Sequence, residues 1–277
     1  MNCRRLIILC ALAISPSFAQ VSSESLWQDD AEHTARRQFG PIREKTDHGD
    51  GTSTSSNWSG YAVLGSAFEW AKGSWVVPVA NCSGVGRFQQ QYAAFWVGLD
   101  GYNSNTVEQT GTDSDCEGTT PTYYAWYEFY PRASVEIGSL SIKPGDVMSA
   151  IVYYNSATDR FAVSITDEST GQSFATTGAV AGATRSSAEW ITEAPCCTLT
   201  DGILPLSDFG TVNFGKDTGG VAATNWARDN STEGPIGSFP AVNTIQIDKT
   251  GSNTSPQTST CSALSKDGTS FSCSWGQ

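Results

Sequence analysis

Any chemistry in this chain has to come from carboxylates, amides and aromatic rings, because histidine is nearly absent. Of 277 residues only two are His, His33 and His48, and both precede residue 56. Residues 56–277 therefore offer no base for a Ser-His-Asp or Cys-His nucleophile and contain no H-E-x-x-H zinc motif. Carboxylates can instead be placed by strand alternation, in which every second side chain shares a face. Over Thr122–Tyr130, Tyr124, Trp126, Glu128 and Tyr130 share one face, and Tyr123, Ala125, Tyr127 and Phe129 the other. Over Ala188–Glu193, Glu189, Ile191 and Glu193 lie opposite Trp190. Gln109 and Asp113 bracket Gly111 in the same way, and Trp96 and Asp100 lie two alternations apart if their strand continues through Gly98. A Glu interleaved with Trp and Tyr fits the floor of an aromatic cleft that grips an extended ligand. An enzyme built on this domain is a carboxylate enzyme.

Two motif matches carry less. Asp217-Thr218-Gly219 copies the aspartic-peptidase triplet, but no apolar strand leads into it and no second copy exists, so it reads as a turn. Asp113, Asp115, Glu117 and Gly118 imitate a calcium loop whose twelfth position is Tyr124 rather than a carboxylate. No metal site and no cofactor is expected.

The elements that must position these residues are short strands. Aromatic and β-branched runs at Gly73–Val79, Tyr92–Val97, Thr122–Tyr130, Val147–Tyr154, Arg160–Asp167, Ala188–Glu193 and Val242–Asp248 alternate with Gly, Asn, Asp and Pro. No stretch keeps a helical period, so the fold class is all-β, an antiparallel sandwich or barrel. Ahead of it, Arg4-Arg5, the apolar run Leu6–Ile14 and Ser17-Phe18-Ala19 have the layout of a secretory leader over residues 1–19. Residues 20–55 are polar and end in a Gly/Ser/Thr-rich stretch, which reads as a pro-segment and linker before a domain at 56–277. The apolar run is too short to span a bilayer, so an exported protein free of the membrane is expected. With 28 Asp+Glu against 16 Lys+Arg the chain has no basic face for nucleic acid. Export also makes disulfides the natural reading of the six remaining cysteines, Cys82, Cys116, Cys196, Cys197, Cys261 and Cys273. Their pairing has 15 possibilities, of which a bridge across a Cys261–Cys273 hairpin turning at Asp267-Gly268 is favoured by proximity. That hairpin, at about 250–277, looks like an addition to the domain.

Several blocks together resemble the glutamic peptidase family, the eqolisins. They are Asn57-Trp58-Ser59-Gly60-Tyr61-Ala62, Trp96-Val97-Gly98-Leu99-Asp100-Gly101, Glu108-Gln109-Thr110-Gly111-Thr112-Asp113, Trp126-Tyr127-Glu128-Phe129-Tyr130-Pro131, Lys143-Pro144-Gly145-Asp146, Ala188-Glu189-Trp190-Ile191 and Leu206–Phe214, in the family's order. The resemblance implies a sandwich of two long antiparallel sheets and a secreted, monomeric acid endopeptidase that acts on proteins and peptides and is made with a removable pro-segment. It makes Gln109 and Glu189 the catalytic pair, with Trp96, Asp100, Asp113, Trp126 and Glu128 lining or supporting the site. Cys196-Cys197 after Glu193-Ala194-Pro195 departs from the family pattern.

Such a pair suits peptide hydrolysis. An ionised Glu189 can take a proton from water and return it to the leaving nitrogen, while the Gln109 amide orients that water and donates N–H to the oxyanion. Hydrogen bonds to the charged form are expected to hold the Glu189 pKa down. The alternatives are a glycoside hydrolase using Glu128 and Glu189 and a non-catalytic carbohydrate-binding sandwich. Neither has a shared need for Gln109.

Overall fold

Alternation decides what each central strand buries. In the computed structural model, which describes residues 38–196, 202–216 and 225–277, the strands Ala94–Leu99, Val107–Glu117, Thr120–Tyr130 and Ser187–Glu193 turn Phe95, Val97, Leu99, Ala125, Phe129, Ala188 and Trp190 toward one side. Trp96, Trp126 and Ile191 belong to a second apolar cluster on the other side. These strands form one antiparallel sheet in the order Thr120–Tyr130, Val107–Glu117, Ala94–Leu99, Ser187–Glu193, Trp58–Leu64, Thr244–Lys249.

A second antiparallel sheet runs Trp70–Val76, Val147–Asn155, Arg160–Asp167, Gln172–Gly178. Its Ala71, Trp75, Met148, Val152, Phe161, Val163 and Ile165 pack against the apolar side of the first sheet, giving the expected sandwich. Each such side chain contributes roughly 1.5–3 kcal/mol when fully buried. The indoles within this core stay satisfied: Trp75 Nε1 donates to Thr112 Oγ1 at 2.9 Å and Trp190 Nε1 to the Lys72 carbonyl at 2.8 Å. No helix among the described residues is long and apolar enough to cross a membrane.

Residues 250–277 differ from the expected appendage. Thr258–Cys261 and Phe271–Gly276 pair as a hairpin, with Cys261 opposite Cys273 and the two joined by a disulfide. Ser259 pairs with Lys249 of the first sheet, while Phe271–Ser274 pair with Thr211–Phe214, whose Phe214 pairs with Trp75 of the second. The hairpin thus stitches the two sheets along one edge. Buried Lys249 closes the intervening loop by donating to the carbonyls of Thr250, Ser255 and Gln257 at 3.2, 3.3 and 2.6 Å, and burial pulls its pKa down to about 8. A second disulfide, Cys82–Cys116, ties the 78–90 loop to the end of the Val107–Glu117 strand. Cys197 lies outside the described residues, as do the leader, residues 20–37 and Asp217-Thr218-Gly219.

The last part of the segment read as pro-segment and linker is built into the fold. Thr52–Ser55 runs parallel to Thr244–Lys249 and pairs with Thr46–Asp47. Asn57 Oδ1 accepts from the Arg43 N–H at 2.8 Å and from Ser55 Oγ at 2.9 Å, which closes this stretch against the sheet. The composition is polar because its contacts are hydrogen bonds rather than apolar packing.

Candidate active site

The ladder register lines up Ala62, Glu189, Gly98, Gln109 and Glu128 in one row across five strands. Directly opposed residues in an antiparallel sheet put their side chains on the same face. Gly98 has none. Gln109 and Glu189 therefore stand two strand spacings apart, roughly 9–10 Å at the backbone, on either side of a trough floored by Gly98. A Cβ at Gly98 would lie 2.9 Å from Trp96 Cζ3, 3.1 Å from the Glu108 carbonyl and 3.2 Å from Gln109 Cβ. The next row holds Ile191, Trp96, Gly111 and Trp126, and the one after it Glu193, Ala94, Asp113 and Tyr124. At Gly111 a Cβ would come within 2.6 Å of Trp96 Cβ, so glycine there lets the Trp96 side chain lie flat on the floor.

The acids on this face hold the aromatic floor. Gln109 Nε2 donates to Glu128 Oε2 at 2.9 Å. Asp113 accepts from Trp126 Nε1 and from the Tyr124 hydroxyl, both at 2.7 Å. Glu193 accepts from Trp96 Nε1 at 3.0 Å and from Asn57 Nδ2 at 3.2 Å. The structure thus brings Trp96, Gln109, Asp113, Trp126, Glu128 and Glu189 onto one face. Glu193 shares that face, as the alternation from Glu189 indicates, and no motif had singled it out.

Asp100 does not line the trough. Its strand ends at Leu99, and Asp100 follows with φ 69°, which breaks the alternation that would have carried it onto the Trp96 face. Its carboxylate instead accepts the backbone N–H groups of Thr184, Arg185 and Ser186 at 2.9, 2.7 and 2.9 Å. That contact fixes the loop entering Ser187–Glu193, so Asp100 acts on Glu189 by positioning its strand.

Electrostatically the site is a cluster of buried acids. Glu189, Glu128 and Glu193 are all fully buried, and burial pushes each carboxyl well above the ordinary carboxylate range. The Ser187 hydroxyl opposes this at Glu189, while the charges of Asp100 and Glu108 add to it. At Glu128 the Glu193 charge adds to the rise, and the Gln109 amide and Phe39 N–H oppose it. Neither Glu189 oxygen, nor Gln109 Oε1, has a hydrogen-bond partner among the described residues. The expectation of a Glu189 pKa held down by hydrogen bonds is therefore reversed, because here desolvation is the larger effect.

Residues 38–42 cover the Gln109 and Glu128 end of this face. Gln38 bridges Cys196 through two backbone hydrogen bonds of 3.1 Å, and the Ile42 N–H reaches the Gly101 carbonyl at 3.1 Å. Between them the Phe39 N–H donates to Glu128 Oε2 at 3.2 Å, and Gln109 Nε2 donates to the Phe39 carbonyl. The Phe39 ring stacks on Trp126 with centroids 3.9 Å apart and planes 14° from parallel. A peptide segment of the chain itself thus occupies the face that carries Gln109. Just after it, Arg43 contacts Cys196 Sγ at 3.3 Å and Lys45 pairs with Asp47 at 3.5 Å.

Comparison with known proteins agrees with this geometry. The stretch shared with aspergillopepsin-2 of Aspergillus niger is 34% identical over 181 residues, covering 58% of this chain and 62% of that protein. The alignment thus spans about three fifths of the length of that relative. A crystal structure of scytalido-glutamic peptidase with a peptide-based transition-state analogue superposes with TM-score 0.61 at 26% identity, covering 79% of this chain and 98% of the other. The crystal structure of aspergilloglutamic peptidase from Aspergillus niger superposes with TM-score 0.52 at 25% identity, over 67% of this chain and 99% of that one. The model of the Peptidase A4 family matches residues 56–275, from the first central strand through the stitching hairpin, and the chain belongs to that family, the glutamic peptidases or eqolisins.

Proposed function

We propose that the protein is an exported acid endopeptidase acting on protein and peptide substrates, in which Glu189 activates water and Gln109 stabilises the oxyanion. The observation that carries this reading is a peptide carbonyl resting on the Gln109 amide, in the same row as Glu189 and separated from it by side-chain-free Gly98. In a substrate that carbonyl is the one attacked. Ionised Glu189 takes a proton as water oxygen bonds to the carbonyl carbon, the Gln109 N–H holds the developing oxyanion, and Glu189 then protonates the leaving nitrogen. Glu128 keeps the Gln109 amide turned with its N–H toward the carbonyl. Trp96 and Trp126, fixed by Glu193 and Asp113, form the platform under the substrate chain.

The leader directs export, and the protein works as a monomer. In the precursor Phe39 blocks the trough, so activity awaits its removal at acidic pH. A carboxylate-pair glycosidase fits less well. Glu128 and Glu189 stand three strand spacings apart, roughly 14 Å at the backbone, with the Gln109 side chain between them and bonded to Glu128.

The test uses denatured casein and a β-glucan from acid to neutral pH. Wild type should cleave casein only. Glu189→Gln should abolish this activity, and Gln109→Glu should lower it by at least about 10²-fold, each with the fold retained by circular dichroism. Near-wild-type proteolysis by either variant, or glucan cleavage, would refute the assignment.

A further inference from the structure

The segment in the trough has a defined register. The carbonyl on Gln109 Nε2 is that of Phe39, and the N–H of the same residue is held by Glu128. Its ring lies flat on Trp126, whose indole is tethered by Asp113 from below. Phe39 and Gly40 are both buried, and a Cβ at Gly40 would meet the Tyr130 ring at 3.4 Å, an ordinary contact. Beyond Pro41 the chain is anchored by Ile42 on Gly101, Arg43 on Asn57, and Thr52–Ser55 in the sheet. A cut between Phe39 and Gly40 would sever the chain up to Phe39 from a remainder that these contacts keep bound.

We propose that Phe39–Gly40 is the bond the protein hydrolyses to mature itself, that Gly40 is the resulting N-terminus, and that Trp126 selects an aromatic residue on the amino side of the bonds it cleaves in substrates. This rests on the reading of Gln109 and Glu189 as the catalytic pair and adds to it a cleavage site and a specificity determinant. The step is a plain hydrolysis. Water oxygen bonds to the Phe39 carbonyl carbon, one water proton passes through Glu189 to the Gly40 nitrogen, and the C–N bond breaks to give a Phe39 carboxyl and a Gly40 amine. Stacking on Trp126 explains the choice of residue: a flat ring covers the indole and a small side chain leaves it uncovered.

The experiment starts from the exported precursor, purified at neutral pH and then acidified without added protease. Intact mass and N-terminal sequencing should give a wild-type product beginning at Gly40 and an intact arm in Glu189→Gln. In the precursor Phe39→Ala, which alters only the released part, cleavage at this bond should slow at least about tenfold. The matured enzyme should cleave a Gln-Phe-Gly-Pro peptide at least about tenfold faster in kcat/KM than its Gln-Ala-Gly-Pro counterpart, and Trp126→Leu should narrow that ratio. A wild-type product with another N-terminus, or equal cleavage of the two peptides by an enzyme that still depends on Glu189, would overturn this proposal and leave the catalytic pair standing. Processing by Glu189→Gln at the wild-type rate would remove the catalytic pair itself.

Discussion

Raising the pH from acid toward neutral should destabilise this fold, the opposite of what salt-bridged carboxylates produce. Glu108, Glu128, Glu189 and Glu193 are fully buried, and burial raises all four carboxyls well above their ordinary value. In the unfolded chain a Glu loses its proton near pH 4.3, so above that the folded state binds more protons and stability falls as pH rises. Below about pH 4.3 the contribution is complete; it is lost progressively as pH climbs to each folded pKa. Each pH unit over which one such carboxyl keeps its proton after the unfolded chain has lost it removes about 1.4 kcal/mol. For a domain of this size that corresponds to a fall of about 3–6 °C in Tm per pH unit, and two such groups double it. Exposed Asp50 and Asp267, whose pKa values are lowered by hydrogen bonds from Thr52 and from Ser265 and Thr269, act in the opposite sense and only below this window.

The measurement is thermal unfolding of the Glu189→Gln precursor, which keeps its arm, at a series of pH values and at high salt. Salt screens repulsion among the exposed acids but leaves the buried protons in place. The Tm should fall steadily with pH, and adding Glu193→Gln should flatten the slope because one of the retained protons is gone. A Tm that rises or stays level from about pH 4.3 to 6, or a slope indifferent to Glu193, would show that these carboxyls ionise without penalty.

Two further outcomes concern the trough. Gly98→Ala puts a methyl 3.2 Å from Gln109 Cβ and 2.9 Å from the Trp96 ring; kcat/KM should drop at least about 100-fold while stability changes by no more than about 3 kcal/mol, and kinetics beside a denaturant titration will separate the two. A bound substrate should desolvate Glu189, so the acid limb of kcat should lie at higher pH than that of kcat/KM, and coincident limbs would speak against this.

The parts of the site legible in the sequence are those where strand alternation is visible. Trp126 and Glu128 sit among aromatic and apolar residues, and Glu189 beside Trp190, so their faces could be assigned before any coordinates. The Val107–Glu117 strand, which carries Gln109, has no apolar run to mark it. Three of its eleven residues are Asp or Glu within the buried stretch Val107–Cys116. Two of them find partners across the ladder, Asp113 with Tyr124 and Trp126 and Asp115 with Tyr124. Hydrophobic periodicity is blind to such a strand; its resemblance to a family block was the signal. Asp100 illustrates the converse. Its spacing from Trp96 was right for a shared face, but the positive φ at Asp100 ends the strand one residue too soon. The Cys261–Cys273 bridge was legible because the hairpin between them is short, whereas Cys82–Cys116, 34 residues apart, leaves no local trace.

What residue types alone could not give was the environment of Glu189. Hydrogen bonds were expected to hold its pKa down, yet its oxygens have no close partner among the described residues and burial pushes the carboxyl well above its ordinary range. Burial thus opposes ionisation of the base in the same face whose other end is covered by Phe39 on Trp126 and by the Phe39 peptide between Gln109 and Glu128. Removal of that segment readmits water to Glu189 and lets its pKa fall back toward the ordinary carboxylate range. Access to the cleft and strength of the base are then set together, over a row of Glu189, Gly98 and Gln109 that the precursor already holds assembled.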